Sequence, residues 1–208
     1  MDNILRYFPE LSETQRGQLA ALGKLYAMWN EKINVISRRD IDNLYINHVL
    51  HSMAIGKFIT PGSGTSFVDL GCGGGFPGIP LAILWPDCSF HLIDRIGKKI
   101  RVATEIASEI GLKNCSFQHG DSGECRQKFD YVVSRAVMTL PELVKASRHM
   151  VAATSGRNRL HNGLICLKGG DLTDEIAATK GFDTLQIPLS DFFAEEYFST
   201  KSLIYIPL

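Results

Sequence analysis

Residues 66 to 80 of this 208-residue chain read SFVDLGCGGGFPGIP, an apolar run closed by an acid, a glycine-rich turn, and the apolar start of a helix with Pro77 and Pro80 near its first turn. Glycines in such a turn let a ligand approach the backbone and its N–H groups. Gly73, Gly75 and Gly78 satisfy the G-x-G-x-x-G pattern, so a nicotinamide or flavin dinucleotide is the first ligand to weigh. Two acids count against it. Asp69 stands two residues before Gly71, where a pyrophosphate would meet unfavourable charge and a cationic amino acid would not. Asp94 closes the next apolar run, where a carboxylate accepts both hydroxyls of a ribose, a role that dinucleotide and S-adenosylmethionine (AdoMet) sites share. Asp69 for the methionine end and Asp94 for the ribose together favour AdoMet, with S-adenosylhomocysteine (AdoHcy) as its product.

Those residues need a frame. Apolar runs read as strands at Ser66 to Leu70, Ser89 to Ile93, Ser116 to Gln118, Tyr131 to Ser134, Leu164 to Leu167, Leu185 to Ile187 and Leu203 to Ile206. Helical periodicity separates most of them, most clearly from Ile96 to Ile110, where apolar residues recur at steps of three and four and Gly111 stands at the C-cap. The alternation predicts an α/β fold: a seven-stranded, mostly parallel, Rossmann-like sheet with helices on both faces and ligands at the carboxyl ends of its strands. Residues 1–62 carry no strand pattern. Ser12 and Gln15 have capping-box spacing, and Leu19, Leu22, Tyr26, Trp29 and Ile33 follow with helical spacing. The break at Thr60-Pro61-Gly62-Ser63-Gly64 divides a helical extension, 1–62, from a ligand-binding domain, 63–208.

Composition sets outer bounds. The chain is 45% hydrophobic and 21% charged, enough apolar content for a real core, which excludes disordered and fibrous classes. Cys72, Cys88, Cys115, Cys125 and Cys166 are odd in number and contain no C-x-x-C pair, which indicates reduced thiols rather than a disulfide framework or a zinc site. No secretory start and no membrane-length apolar stretch is present, so a cytoplasmic protein without a membrane partner is expected. His48 and His51 share a helix face, but with no third ligand at suitable spacing no metal is expected.

Four motifs occur in order: DLGCGGGFPGIPLAI at 69–83, LIDRIGKKIR at 92–101, FDYVVSRAV at 129–137 and LKGG at 167–170. With WNEKINVIS at 29–37 and NHVLHSMAI at 47–55, the set resembles the RsmG (GidB) family of bacterial 16S rRNA guanine-N7 methyltransferases over about residues 20–180. The resemblance implies a class I AdoMet-dependent methyltransferase fold, and 16S rRNA or the 30S subunit as partner. It carries over Gly71 and Phe76 in the glycine loop, Asp94 and Arg95 after the second strand, Ser122 and Gly123 beside the adenine, and Arg135 of S-R-A as cofactor-binding residues. The chain departs from the family at 120–124, which reads GDSGE where the family usually has G-R-A-E-E, and at His51, where the family commonly places an acid.

Methylation of guanine N7 uses a lone pair that is free at neutral pH. The expected mechanism is therefore placement, with no general base and no cysteine nucleophile. Arg135 is suited to the AdoMet carboxylate, an RNA phosphate or guanine O6. The chain has 22 basic and 22 acidic residues, yet residues 95–168 carry a net +7, offset by −2 before and −5 after. Lys98, Lys99 and Arg101 begin the helix after Asp94, and Arg135 and Lys168 end strands, so all are placed on one RNA-binding rim. Arg38, Arg39, Arg157 and Arg159 are expected to extend it. A monomer is expected. The alternatives are an AdoMet methyltransferase acting on another substrate, and a non-catalytic AdoMet-binding ribosome-assembly factor.

Overall fold

β1 (Ser66–Leu70) sends Phe67 into one apolar cluster and Val68 and Leu70 into another. This is the two-residue alternation of a strand buried on both faces. Around it lie β2 (Ser89–Asp94), β3 (Cys115–His119), β4 (Tyr131–Arg135), β5 (Gly163–Gly169), β6 (Leu185–Pro188) and β7 (Lys201–Pro207), in the order β3-β2-β1-β4-β5-β7-β6. The first five strands are parallel, and β7 runs antiparallel to both β5 and β6. All seven expected strands form, most of them a residue or two longer than their apolar runs. The computed structural model describes residues 1–37, 40–153 and 158–208. Arg38, Arg39 and Arg157 lie outside the described residues.

The N-terminal helices are α1 (Asp2–Tyr7) and α2 (Glu13–Lys32). The capping box forms as its spacing predicts, the Gln15 N–H donating to Ser12 Oγ at 3.3 Å and the Ser12 N–H to Gln15 Oε1 at 2.9 Å. Leu19, Leu22 and Tyr26 of α2 are buried in the same apolar cluster as Phe67, Phe90 and Ile165 of the sheet. A π-helical turn, Leu44–Leu50, runs into α3 (His51–Met53) and α4 (Ile55–Phe58). α5 (Gly78–Leu84) and α6 (Gly97–Glu109) join this face, while α7 (Leu140–Ser147) covers the other through Leu140, Leu143 and Val144. α8 (Thr173–Ala177) follows β5. The five cysteines are free thiols, and no helix among the described residues is long and apolar enough to cross a membrane.

β1 lies between β2 and β4, so the chain order reverses there. In an open parallel sheet the crevice outside the carboxyl ends at such a reversal is where ligands bind.

Candidate functional site

At that reversal lies a cavity of about 750 Å³, lined from the β1 turn by Gly71, Gly73 and Phe76, from the end of β2 by Asp94, Arg95 and Ile96, and after β3 by Gly120 and Ser122. The β4 side contributes Arg135, Val137, Met138 and Glu142, and the N-terminal segment adds Val35. The volume is in the range of small-molecule and cofactor sites.

The glycine turn is shaped for close approach. Gly71 and Gly73 have φ of +73° and +55°, which side chains rarely tolerate. A Cβ on Gly73 would meet nothing within 4 Å and would stand in open space beside the cavity. Asp94 secures this turn: its Oδ2 accepts the Gly73 N–H and its Oδ1 the Ile96 N–H, both at 2.8 Å. A carboxylate offers about four lone-pair directions, so capacity remains for two ribose hydroxyls. The residues thus fit the adenosine half of AdoMet.

Asp69 departs from the expected direct contact. It is fully buried and does not line the cavity; its Oδ2 accepts the Gly78 N–H at 2.7 Å. Burial raises its carboxyl to about 7. Asp69 therefore braces the junction of turn and α5 from behind, and a Cβ on Gly78 would come within 2.8 Å of it.

The 120–124 loop is held by the Asp121 side chain. Asp121 Oδ1 accepts the Gly123 N–H at 2.7 Å, which lowers the Asp121 carboxyl, and its Oδ2 pairs with Arg95. Ser122 lines the cavity and Gly123 does not; the Ser122 carbonyl accepts from His149 Nε2 at 3.1 Å. Within the G-D-S-G-E sequence, Asp121 thus organises the turn and reaches Arg95.

The opposite wall depends on distant segments. Phe76 stacks on Tyr26 of α2 at 4.7 Å, and the Arg135 guanidinium lies 5.1 Å over the Phe76 ring. Tyr26 Oη donates to the Gly74 carbonyl at 2.8 Å. Asn30 folds the WNEKINVIS segment, its Oδ1 accepting the N–H groups of Val35 and Ile36 and its Nδ2 donating to the Ile36 carbonyl, each at 2.9 Å. This bend sets Val35 against Gly74. Arg135 donates to the Asn47 carbonyl at 3.0 Å and to His48 Nδ1 at 2.9 Å. The Asn47 carbonyl also accepts from Tyr197 Oη at 3.1 Å, and His51 Nδ1 lies 3.2 Å from that hydroxyl. Burial, then Arg135, lowers His48 to about 4 and His51 well below its ordinary value. Ala136 has φ +52° and lines the cavity. Spacing alone gave no sign of Val35, Asn47 or Tyr197, which approach the site only through the tertiary fold; the W-N and H-x-x-H patterns were the available signals.

Cys72 borders the cavity from within the loop but is only 1% exposed. Burial, followed by Asp69 and Asp94, pushes its thiol well above the ordinary range, so it is not a thiolate at neutral pH.

The basic rim is smaller than expected. Arg95, Lys98 and Arg101 are exposed around the start of α6, and Lys99 lines the cavity. Lys168 is 8% exposed; its Nζ donates to the Met138 carbonyl at 2.8 Å and pairs with Glu175 at 2.6 Å. Its charge is spent inside the protein, holding the loop after β4. Arg159 is exposed but belongs to the segment leading into β5. Its neighbour Asn158 accepts from the Gly62 N–H and from Thr65 Oγ1, just before β1. Strand polarity therefore places Arg159 at the amino edge of the sheet, opposite the cavity.

A sequence profile of the family described as rRNA small subunit methyltransferase G (GidB) matches residues 15–187. A Bacteroides fragilis protein named ribosomal RNA small subunit methyltransferase G is 55% identical over 208 residues, covering 100% of both chains. A protein of the same name from Bacteroides thetaiotaomicron is 56% identical over 205 residues, 99% of this chain and 98% of the relative. Among solved structures, Aeropyrum pernix fibrillarin with natively bound S-adenosyl-L-methionine aligns at a TM-score of 0.55 and 13% identity, covering 76% of this chain and 73% of its own. A precorrin-6y C5,15-methyltransferase from Geobacter metallireducens aligns at 0.55 and 11%, covering 84% and 90%. The fold is that of class I AdoMet methyltransferases, and the chain belongs to the rRNA small subunit methyltransferase G (GidB) family.

Proposed function

We propose that this protein transfers the methyl group of AdoMet to N7 of a guanine in 16S rRNA of the small ribosomal subunit. Family membership supplies the reaction class, and the observation that carries the reading to this chain is the Asp94-anchored glycine turn with Gly73 facing open cavity. AdoMet brings a methyl group activated on a sulfonium. Asp94 takes the ribose, the Gly71 to Gly73 backbone lies along the donor, and Gly120 with Ser122 borders the adenine. Phe76 and the charge of Arg135 lie toward the methionine end, with Asp69 bracing the turn behind them.

Chemistry at N7 requires little from side chains. The N7 lone pair forms the new N–C bond as the C–S pair returns to sulfur, so positive charge passes to the guanine and no proton moves. What the protein provides is alignment at near-attack distance in a site sheltered from water, which supplies several kcal/mol of the barrier. Val35, Val137 and Met138 give the target base an apolar surround. Lys98, Lys99 and Arg101 form the phosphate-facing rim, so RNA approaches over the start of α6. The protein works as a monomer in the cytoplasm, where ribosomal subunits are assembled, with residues 1–62 as an extension packed on the 63–208 domain.

The deciding experiment maps 7-methylguanine in 16S rRNA from cells with and without the gene, by reduction and chain scission at the modified base. A scission site lost with the gene and restored by the purified protein with AdoMet is the expected result. Methyl label that enters protein or small molecules but never rRNA would overturn the assignment.

A further inference from the structure

Arg135 is held without a direct ion pair, Asp69 and Asp40 acting on it only at longer range. A guanidinium has five N–H donors and no acceptor, and the two groups that receive from Arg135 are both uncharged: the Asn47 carbonyl at 3.0 Å and His48 Nδ1 at 2.9 Å. No carboxylate among the described residues forms an ion pair with it. Its position is low in the cavity. It ends β4, next to Ser134, whose Oγ donates to the Leu70 carbonyl at 2.8 Å where β1 enters the glycine turn, and it lies over the Phe76 ring. A nucleic-acid phosphate reaches the exposed rim more readily than this floor, whereas the amino-acid end of a donor seated on the glycine turn extends toward it.

The chemistry of the arrangement fixes the state of His48. Arginine can only donate, so Nδ1 must be the unprotonated nitrogen, and the ring proton is on Nε2. Nε2 is buried with no hydrogen-bond partner among the described residues. The tautomer is therefore imposed from the Arg135 side alone. A neutral acceptor directs a cation and leaves its charge for a ligand; an acid in the same place would direct it equally well and cancel it.

We propose that His48 is a positioning residue for the methyl-donor site, its unprotonated Nδ1 aiming the Arg135 guanidinium, together with the Asn47 carbonyl, at the carboxylate of the methionine moiety. This deepens the AdoMet reading of the cavity and rests on it. It also gives the N-terminal segment a part in cofactor binding, since both acceptors belong to the π-helical turn 44–50 rather than to the sheet.

The test compares AdoHcy with 5′-methylthioadenosine, which keeps the adenosine and thioether but lacks the amino-acid carboxylate. Calorimetry is run on the full-length wild type and on Arg135→Ala, His48→Asn, His48→Phe and His48→Asp. Asparagine presents an oxygen close to the Nδ1 position, phenylalanine keeps a ring against Phe76 without an acceptor, and aspartate neutralises the guanidinium. The expected result is AdoHcy affinity within about threefold of wild type for His48→Asn and a loss of about tenfold or more for the other three, with methylthioadenosine affinity within about twofold throughout. If Arg135→Ala loses AdoHcy selectively while His48→Phe and His48→Asp do not, the role given to His48 is wrong. Retention by phenylalanine with loss by asparagine, or equal losses for both ligands, would show a packing role and overturn the proposal. Wild-type AdoHcy affinity in Arg135→Ala would overturn the carboxylate assignment, and no binding of AdoHcy by the wild type would remove the donor site itself.

Discussion

The two walls of the cavity are built by different means. On the β1–β2 side, one short stretch supplies the glycine turn and one carboxylate, Asp94, secures it through two backbone N–H groups. On the β4 side, every functional orientation is borrowed: Arg135 from Asn47 and His48, and the loop after β4 from Lys168 and Glu175. The first wall depends on backbone geometry and is local apart from its N-terminal support, where Tyr26 holds the Gly74 carbonyl and stacks on Phe76. The second is assembled by contacts that span much of the chain, so it exists only when the N-terminal helices and the end of the sheet are in place. This difference predicts that damage to the first wall reads out as ligand affinity and damage to the second as loss of frame.

The largest effect is expected at Asp94. Asp94→Ala removes the proposed ribose acceptor and leaves the Gly73 and Ile96 N–H groups without their partner. AdoHcy affinity should fall by about 3 kcal/mol, roughly a hundredfold, measured by calorimetry. An effect below tenfold would mean that the turn keeps its shape without the carboxylate and that the first wall is less dependent on one residue than its bonds indicate.

Lys168→Ala should act differently. It leaves Glu175 partly buried without its cation, keeping only the Leu140 N–H, and frees the Met138 carbonyl, at a cost of about 2 kcal/mol once the partial exposure of Glu175 is allowed for. The expected readout is a lower denaturation midpoint with the salt dependence of RNA binding unchanged. A reduced salt slope with wild-type stability would return Lys168 to the RNA rim and blur the contrast between the walls.

These two residues also show what could be read from sequence. The place of Asp94 was legible because it depends on local order, a strand, its last residue and a turn within reach, whereas its hold on the Gly73 and Ile96 N–H groups was not. Lys168 stands in a comparable place, one residue before the end of β5, yet its side chain turns to Met138 and Glu175, and no local pattern distinguishes the two fates. Asp69 was assigned to the right turn but to the wrong side of it, because alternation buries the residue between Val68 and Leu70 behind the loop. Arg159 was misplaced for another reason. Its charge was counted with the basic middle of the chain, whereas its position before β5 puts it on the amino edge. The seven strands and the capping box followed from periodicity alone. The bonds from Tyr26, Asn47 and Tyr197 to the site join residues far apart in sequence and have no periodic signature.

Edge polarity can be tested by charge. Lys98→Ala with Arg101→Ala should weaken RNA binding by about 1 kcal/mol per phosphate contact and reduce the magnitude of the salt slope by about one for each, leaving AdoHcy affinity unchanged. Arg159→Ala, at the opposite edge, should change neither. Filter binding of 16S rRNA over a salt series measures both, and equal slopes lost at the two edges would show that RNA wraps the protein rather than approaching the cavity rim.

The smallest effect concerns protons. In the folded protein His48 titrates near 4, lowered first by burial and then by Arg135, against an ordinary value of 6.5. Between those values the unfolded chain holds more protons, so stability rises with pH across this window and is lost as pH falls from 6.5 toward 4. At pH 6 the penalty from this one group is under about 1 kcal/mol. His51 shifts in the same direction, and Asp69, raised to about 7, shifts in the opposite one, because its neutral form is favoured by the fold and stability is lost as pH rises from 3.8 toward 7. Both remain in His48→Asn, so the difference between wild type and that variant reports His48 together with its smaller coupling to His51 and Asp40. The variant should lose less stability between pH 7 and pH 5.5 in urea denaturation. Parallel pH profiles would mean that His48 is not held neutral by the fold, and the second wall would then owe the orientation of Arg135 to the Asn47 carbonyl alone.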